Sequence, residues 1–159
     1  EQSPPTTLGV LVPDLRPRID AAIDILRTAP PDVLNHNIET VPRLYGKVRP
    51  GHTYECSVNL LHAAKAMRPE VLTKTGMMLG VGETRDEVIA TLHELREKHV
   101  DIVTLGQYLQ PSPKLLKVER YLHPDEFMEF KTAADKLGFR HVESGPLVRS
   151  SYHAWSHVN

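Results

Sequence analysis

Only one of the 159 residues is a cysteine, Cys56. That excludes an internal disulfide framework and leaves no cysteine cluster to hold zinc or an iron–sulfur centre, and a lone thiol suits a reducing compartment. Charge of neither sign is in excess, with 19 Lys and Arg against 20 Asp and Glu. Neither nucleic acid nor an anionic membrane is thereby favoured over a small molecule or a protein partner. Long apolar runs are also missing, and none reaches the roughly 18 to 20 residues of a membrane span. The opening residues show neither the basic-then-apolar pattern of a secretory leader nor the Arg-rich, acid-poor pattern of a transit segment. There is no repeat of fixed period and no low-complexity tract.

What is present is alternation. Short apolar runs at 8–12, 33–36, 75–79, 102–105 and 140–143 read as strands, separated by stretches of helical period. Ile19, Ala22, Ile23 and Leu26 form a first apolar stripe, which should stop before Pro30 and Pro31 because proline disfavours a helical predecessor. A second stripe carries Cys56, Leu60, Ala63, Ala64 and Met67, and on it Cys56 reads as core rather than nucleophile. The third, Val88, Ile89, Leu92, Leu95 and Val100, opens with Thr84 and Glu87 at the spacing of a capping box. The fourth starts near Pro124, carries Phe127, Phe130, Ala134 and Leu137, and stops at Gly138. The order predicts an α/β fold of consecutive βα units, part of a (βα) barrel, with a doubly wound open sheet as the rival giving the same local signals. A complete eight-unit barrel takes about 250 residues, so this chain supplies at most about half of one. Residues 1–7 are polar and lead straight into a strand, which reads as a cut or extended end; 8–143 hold the βα units and 144–159 a tail.

In parallel α/β folds the loops at the C-terminal ends of strands carry the site. After the second strand comes Asn35-His36-Asn37-Ile38-Glu39-Thr40, whose amides and carboxylate can hold ribose hydroxyls or an amino-acid moiety, or can simply cap a helix. His36 and Glu39 are alternatively metal ligands, with His52 as a third, although His52 follows Gly51 in an expected turn. The third strand leads into Gly80-Val81-Gly82-Glu83-Thr84, where glycines either admit a ligand to the backbone or only make the turn. Lys74 reads as a solvated edge charge or as a pocket cation. Gln107 and Tyr108 offer an amide and a ring to a base, or a polar loop with one anchoring aromatic. Arg149, Ser150 and Ser151, taken alone, read as a surface turn.

Four of these segments together resemble the lipoyl synthase family of the radical S-adenosylmethionine (SAM) superfamily: residues 33–45, 74–83, 104–111 and 144–152, in the family's order. The resemblance runs from about Leu8 to His153. It implies the C-terminal half of a partial barrel of six βα units, with a short C-terminal extension. It also implies SAM and two 4Fe-4S clusters in the complete enzyme. One cluster and SAM generate a deoxyadenosyl radical that takes hydrogens from the sixth and eighth carbons of a protein-bound octanoyl group, and the auxiliary cluster gives up the sulfurs. By this resemblance Asn35, Asn37, Glu39, Lys74, Gly80, Glu83, Gln107 and Tyr108 are cofactor-binding, Gly76 and Met78 belong to the same glycine-rich strand pattern, Ser151 ligates the auxiliary cluster and Arg149 assists catalysis beside it. The implied partners are an octanoylated lipoyl-carrier domain or the glycine cleavage H protein, an electron donor such as ferredoxin or flavodoxin, and the N-terminal half of the barrel, in the cytoplasm or, in a eukaryote, the mitochondrion. The sequence departs from the family in lacking both cysteine triplets, for which Cys56 cannot substitute, and in the early segment Leu11-Val12-Pro13-Asp14-Leu15, which carries leucine where phenylalanine is usual and is followed by a shorter stretch than usual. A fragment inactive by itself is therefore expected. The alternatives are a non-catalytic barrel piece that binds a nucleotide or acyl carrier, and the metal-dependent barrel built on His36, Glu39 and His52.

Overall fold

A computed structural model describes residues 7–16 and 18–151. Five strands form one parallel sheet in the order of the sequence: β1 (Gly9–Leu11), β2 (Val33–Asn35), β3 (Leu72–Leu79), β4 (Ile102–Gln107) and β5 (His141–Gly145). Strand order separates the two rival architectures. A doubly wound sheet reverses direction at a switch point, whereas here every strand pairs with its sequence neighbour, as around a barrel.

The connecting helices are α1 (Ile19–Thr28), α2 (Tyr45–Val48) with a preceding 3₁₀ turn at Pro42–Leu44, α3 (Tyr54–Met67), α4 (Arg85–Glu97) and α5 (Pro124–Leu137). Their ends follow the local chemistry. Thr84 caps α4 through the Glu87 amide while the Glu87 side chain returns to the Thr84 amide, and α5 stops at Gly138 in the left-handed conformation. Val100 does not extend α4. The helix closes at Glu97, His99 turns the chain at φ 63°, and Val100 is buried in the connector.

Period-two alternation assigns the two faces of the sheet. Leu79, Val103, Leu105 and Val142 point outward into a core shared with Val88, Leu92, Phe127 and Phe130 of α4 and α5. Leu34 packs outward against Ile23 of α1 and Leu60 and Ala64 of α3. On the concave face Val33, Leu72 and Ile102 form an apolar floor. Two residues further along each strand the concave face turns polar, with Asn35, Lys74 and Thr104. β3 starts at Leu72 rather than at residue 75, because Thr73 and Lys74 are buried within the strand despite their polar side chains. β4 and β5 likewise run two residues past their expected ends, to Gln107 and Gly145.

Candidate functional site

The C-terminal ends of β2, β3 and β4 surround a cavity of about 180 Å³ lined by Asn37, Glu39, Gly76, Met78, Thr104 and Gln107, with Arg149 and Ser150 of the tail on its rim. Glu39 is the most constrained residue there. It lies at φ 68°, a region that costs a side chain about 1–3 kcal/mol, and is held by its neighbours. Its N–H donates to the Gly76 carbonyl at 3.0 Å, and its own carbonyl accepts from the Met78 N–H at 2.8 Å. Burial pushes the Glu39 carboxyl above the usual carboxylate range, while the Arg49 charge and the Asn37 amide oppose that rise. Beside it, the Oδ1 atoms of Asn35 and Asn37 are buried acceptors with no donor from the protein. Two such acceptors and a carboxylate at one strand end are equipped for a ligand rich in hydroxyl or ammonium donors.

Other expected site residues are engaged within the chain. The Gln107 Nε2 donates to the carbonyls of Tyr108 and Arg120, each at 3.1 Å, and its Oε1 accepts from the Leu122 N–H at 3.0 Å. The Tyr108 hydroxyl donates to the Leu116 carbonyl at 2.9 Å. The two side chains thus pin the long connector between β4 and α5, and Tyr108 lies outside the cavity lining. At Gly80, φ is +97° and a Cβ would lie 2.4 Å from the Arg120 carbonyl oxygen, so the backbone's close neighbour is this same connector. Glu83 turns its buried carboxylate back to accept from the amides of Gly80 at 2.6 Å and Val81 at 3.0 Å.

Lys74 is no solvated edge charge. It is 3% exposed on the concave side of β3, where burial pulls its amine down to about 8 and Glu143 pulls it back up. Arg149 is exposed, and its Nη1 donates to the Val148 carbonyl at 2.6 Å. The tail can cross β4 there because residue 106 is glycine: a Cβ would meet the Val148 oxygen at 2.2 Å. Ser151 is exposed one residue beyond the rim, and Tyr152 and His153 lie outside the described residues. Cys56 is half-buried on α3.

Behind β2, away from the floor, lies a second polar cluster. His36 is 2% exposed, and its ring nitrogens meet the Val12 carbonyl at 3.0 Å and the Ser57 hydroxyl at 2.8 Å. Asp14 joins it through His36 at 3.0 Å, Arg49 at 3.2 Å and His52. Burial alone would raise the Asp14 carboxyl, but the Ser57 hydrogen bond and the charges of Arg49, His36 and His52 outweigh it and hold it low. The reading of His36, Glu39 and His52 as metal ligands is corrected here. His36 and His52 turn to Asp14 rather than to Glu39, and among the described residues no group of three His, Cys, Asp or Glu side chains is placed to hold a metal.

The sequence profile of the Radical SAM superfamily matches residues 2–95. The chain belongs to that superfamily. It is 57% identical over 152 residues to a lipoyl synthase of Shewanella oneidensis, 54% identical over 152 residues to one of Alcanivorax borkumensis, and 53% identical over 154 residues to one of Burkholderia mallei. These alignments cover 96–97% of this chain but 47% of each relative, so the chain spans about half the length of the curated relatives it matches. Among solved structures, methylornithine synthase (PylB) superposes with a TM-score of 0.52 at 21% identity, covering 82% of this chain and 46% of that one, which supports the barrel-type fold. Of the residues expected at the site, this radical SAM chain brings Asn37, Glu39, Gln107 and Arg149 to one cavity, with Asn35 just below. Thr104, Gly106 and Ser150 also line the cavity without having been expected there, although alternation from Ile102 along β4 puts the first two on its concave face. Arg49 and Asp14 escaped too, and nothing periodic in the sequence marks them.

Proposed function

We propose that this chain forms the SAM-facing part of a lipoyl synthase, which inserts sulfur at the sixth and eighth carbons of a protein-bound octanoyl group in protein lipoylation. The carrying observation is Asn37 and Glu39 on the cavity lining with Asn35 at the end of β2 just before them, the two asparagines presenting buried acceptors that lack donors, in a chain 53–57% identical to lipoyl synthases. SAM presents ribose hydroxyls and an ammonium, the donors these groups lack, and so fits them. When bound with its iron–sulfur cluster, it supplies a carbon radical able to remove hydrogen from an unactivated chain.

The chain's own residues bind and orient. Asn37 and Glu39 accept from the ligand's polar groups and Asn35 from beneath, while Met78 and Leu109 line the cavity with apolar surface. With a single cysteine the chain has no ligand set for either 4Fe-4S cluster. Ser151 is its contribution to the auxiliary one, and Arg149 steadies charge beside it. The implied partners are an octanoylated lipoyl-carrier domain or the glycine cleavage H protein and a ferredoxin or flavodoxin donor, in the cytoplasm or a mitochondrion.

Calorimetric SAM binding by the complete enzyme that carries this sequence tests the reading. Losing one buried charge-assisted hydrogen bond costs about 1.5–3 kcal/mol, so Asn37→Ala and Glu39→Gln should each weaken SAM by roughly 10-fold to 100-fold with carrier binding unchanged. Unaltered SAM affinity in both variants removes these residues from the site.

A further inference from the structure

We propose that Arg49, anchored by Asp14, is a positioning residue that holds the Asn37–Glu39 segment in its ligand-ready shape from behind β2. This deepens the SAM-site reading and rests on it for its functional meaning. The geometry is that of a clamp. Arg49 follows α2, and its Nη1 donates to the Asn37 carbonyl at 3.1 Å and to the Tyr45 hydroxyl at 2.9 Å. Its Nη2 donates to the Asp14 carboxylate at 3.2 Å. Asp14 is itself fixed, accepting from the fully buried Ser57 hydroxyl at 3.0 Å. The guanidinium also lies 5.7 Å from the centre of the Tyr45 ring.

The clamp answers a definite need. Two residues beyond the clamped carbonyl, Glu39 sits at φ 68°, which persists only where surrounding contacts over-determine it. The ladder bonds to Gly76 and Met78 hold one side of the segment, and Arg49 holds the other. The planar fork spreads its donors over two nitrogens, Nη1 toward the Asn37 carbonyl and the Tyr45 hydroxyl and Nη2 toward Asp14, whereas a lysine ammonium presents all its donors from one point. The Arg49 charge further favours the ionised form of Glu39 against burial. The charged and titratable groups facing the clamp are Asp14, His36, Tyr45, His52 and Glu39, with Arg16 behind His52 at 3.2 Å.

The test uses the whole 159-residue chain, ¹³C-labelled at glutamate carboxyls and ¹⁵N-labelled, without SAM. Arg49→Met should tighten proton binding by Glu39 by about tenfold through loss of the opposing charge, and should shift the Ile38 amide, whose peptide carbonyl is that of Asn37. Arg49→Lys should leave the Glu39 titration within about threefold of wild type, since charge is retained, yet shift the Ile38 amide as Arg49→Met does. Asp14→Asn, which frees the clamp, should shift that amide in the same direction. A residue that only adds stability would lower the melting temperature and leave both signals in place. An unmoved Ile38 amide in Arg49→Lys overturns the proposal, and that variant decides the matter if Arg49→Met does not fold. If the Glu39 titration follows Arg49 while SAM binding in the complete enzyme ignores Glu39, the clamp stands and the ligand reading fails.

Discussion

Replacing Glu83 with glutamine should act on the turn after β3 before it acts on any ligand. The carboxylate is 7% exposed and accepts two backbone N–H groups, from Gly80 at 2.6 Å and Val81 at 3.0 Å. Hydrogen bonds to a charged acceptor contribute about 1.5–3 kcal/mol each. Glutamine keeps one carbonyl oxygen but sets an NH₂ against the other backbone N–H, so one bond is lost, a buried donor is left unpaired, and the other bond weakens to neutral strength. The sum is a loss of about 2–4 kcal/mol, a large part of the roughly 5–15 kcal/mol that holds a domain folded. Urea denaturation of the 159-residue chain followed by circular dichroism measures this directly, with the midpoint falling and the slope unchanged. A change below about 0.5 kcal/mol would refute the reasoning. It would show that the carboxylate is available to a ligand rather than committed to the turn.

Gly80→Ala should be more severe still, because the new methyl meets the Arg120 carbonyl and the Gln107 amide at positive φ; expression of this variant as soluble, cooperatively melting chain would contradict the packing described. Thr84→Ala removes the α4 cap and should cost about 0.5–2 kcal/mol in the same urea assay, with activity of the complete enzyme unchanged. Glu87, held down to about 2 first by the Arg43 hydrogen bond, stabilises the fold above its usual titration range and loses that contribution as pH falls toward 2, so wild type should lose stability relative to Glu87→Gln across that window. Lys74 works with the opposite sign. Its amine is lowered from 10.5 to about 8, the unfolded chain binds more protons between these values, and wild-type stability should rise with pH there relative to Lys74→Met, by at most about 3 kcal/mol.

Much of the architecture was legible because it rests on local chemistry. Proline and glycine mark where α1 and α5 stop, Thr84 and Glu87 open α4, and apolar runs mark all five strands. Local signals alone left a barrel and a doubly wound sheet open, since the choice depends on which strands pair; the family resemblance pointed to the barrel, and the strand order agrees. Asn35, Asn37 and Glu39 were readable as the polar groups that end and follow β2. His36 turns to Ser57 and Asp14 behind β2, which is why His36 and Glu39 share no ligand set. Gln107, Tyr108 and Glu83 show that polar side chains near a strand end also hold the chain's own backbone. Glu83 accepts from its own turn at Gly80 and Val81, and Gln107 and Tyr108 bind backbone groups of a connector whose path over the strand ends no residue pattern announces. Asp14 and Arg49 stand 35 residues apart and meet only because the fold brings the β1–α1 connector beside α2.

The most direct test of the lipoyl synthase reading is a single-turnover measurement on the complete enzyme with Ser151→Ala, following lipoyl product and SAM cleavage together. A serine oxygen is a harder and less usual ligand to iron than thiolate and should release most easily when sulfur is withdrawn. The account predicts that Ser151→Ala abolishes or greatly reduces sulfur insertion while SAM cleavage persists, and that Ser150→Ala does less. Wild-type sulfur insertion by Ser151→Ala would contradict it.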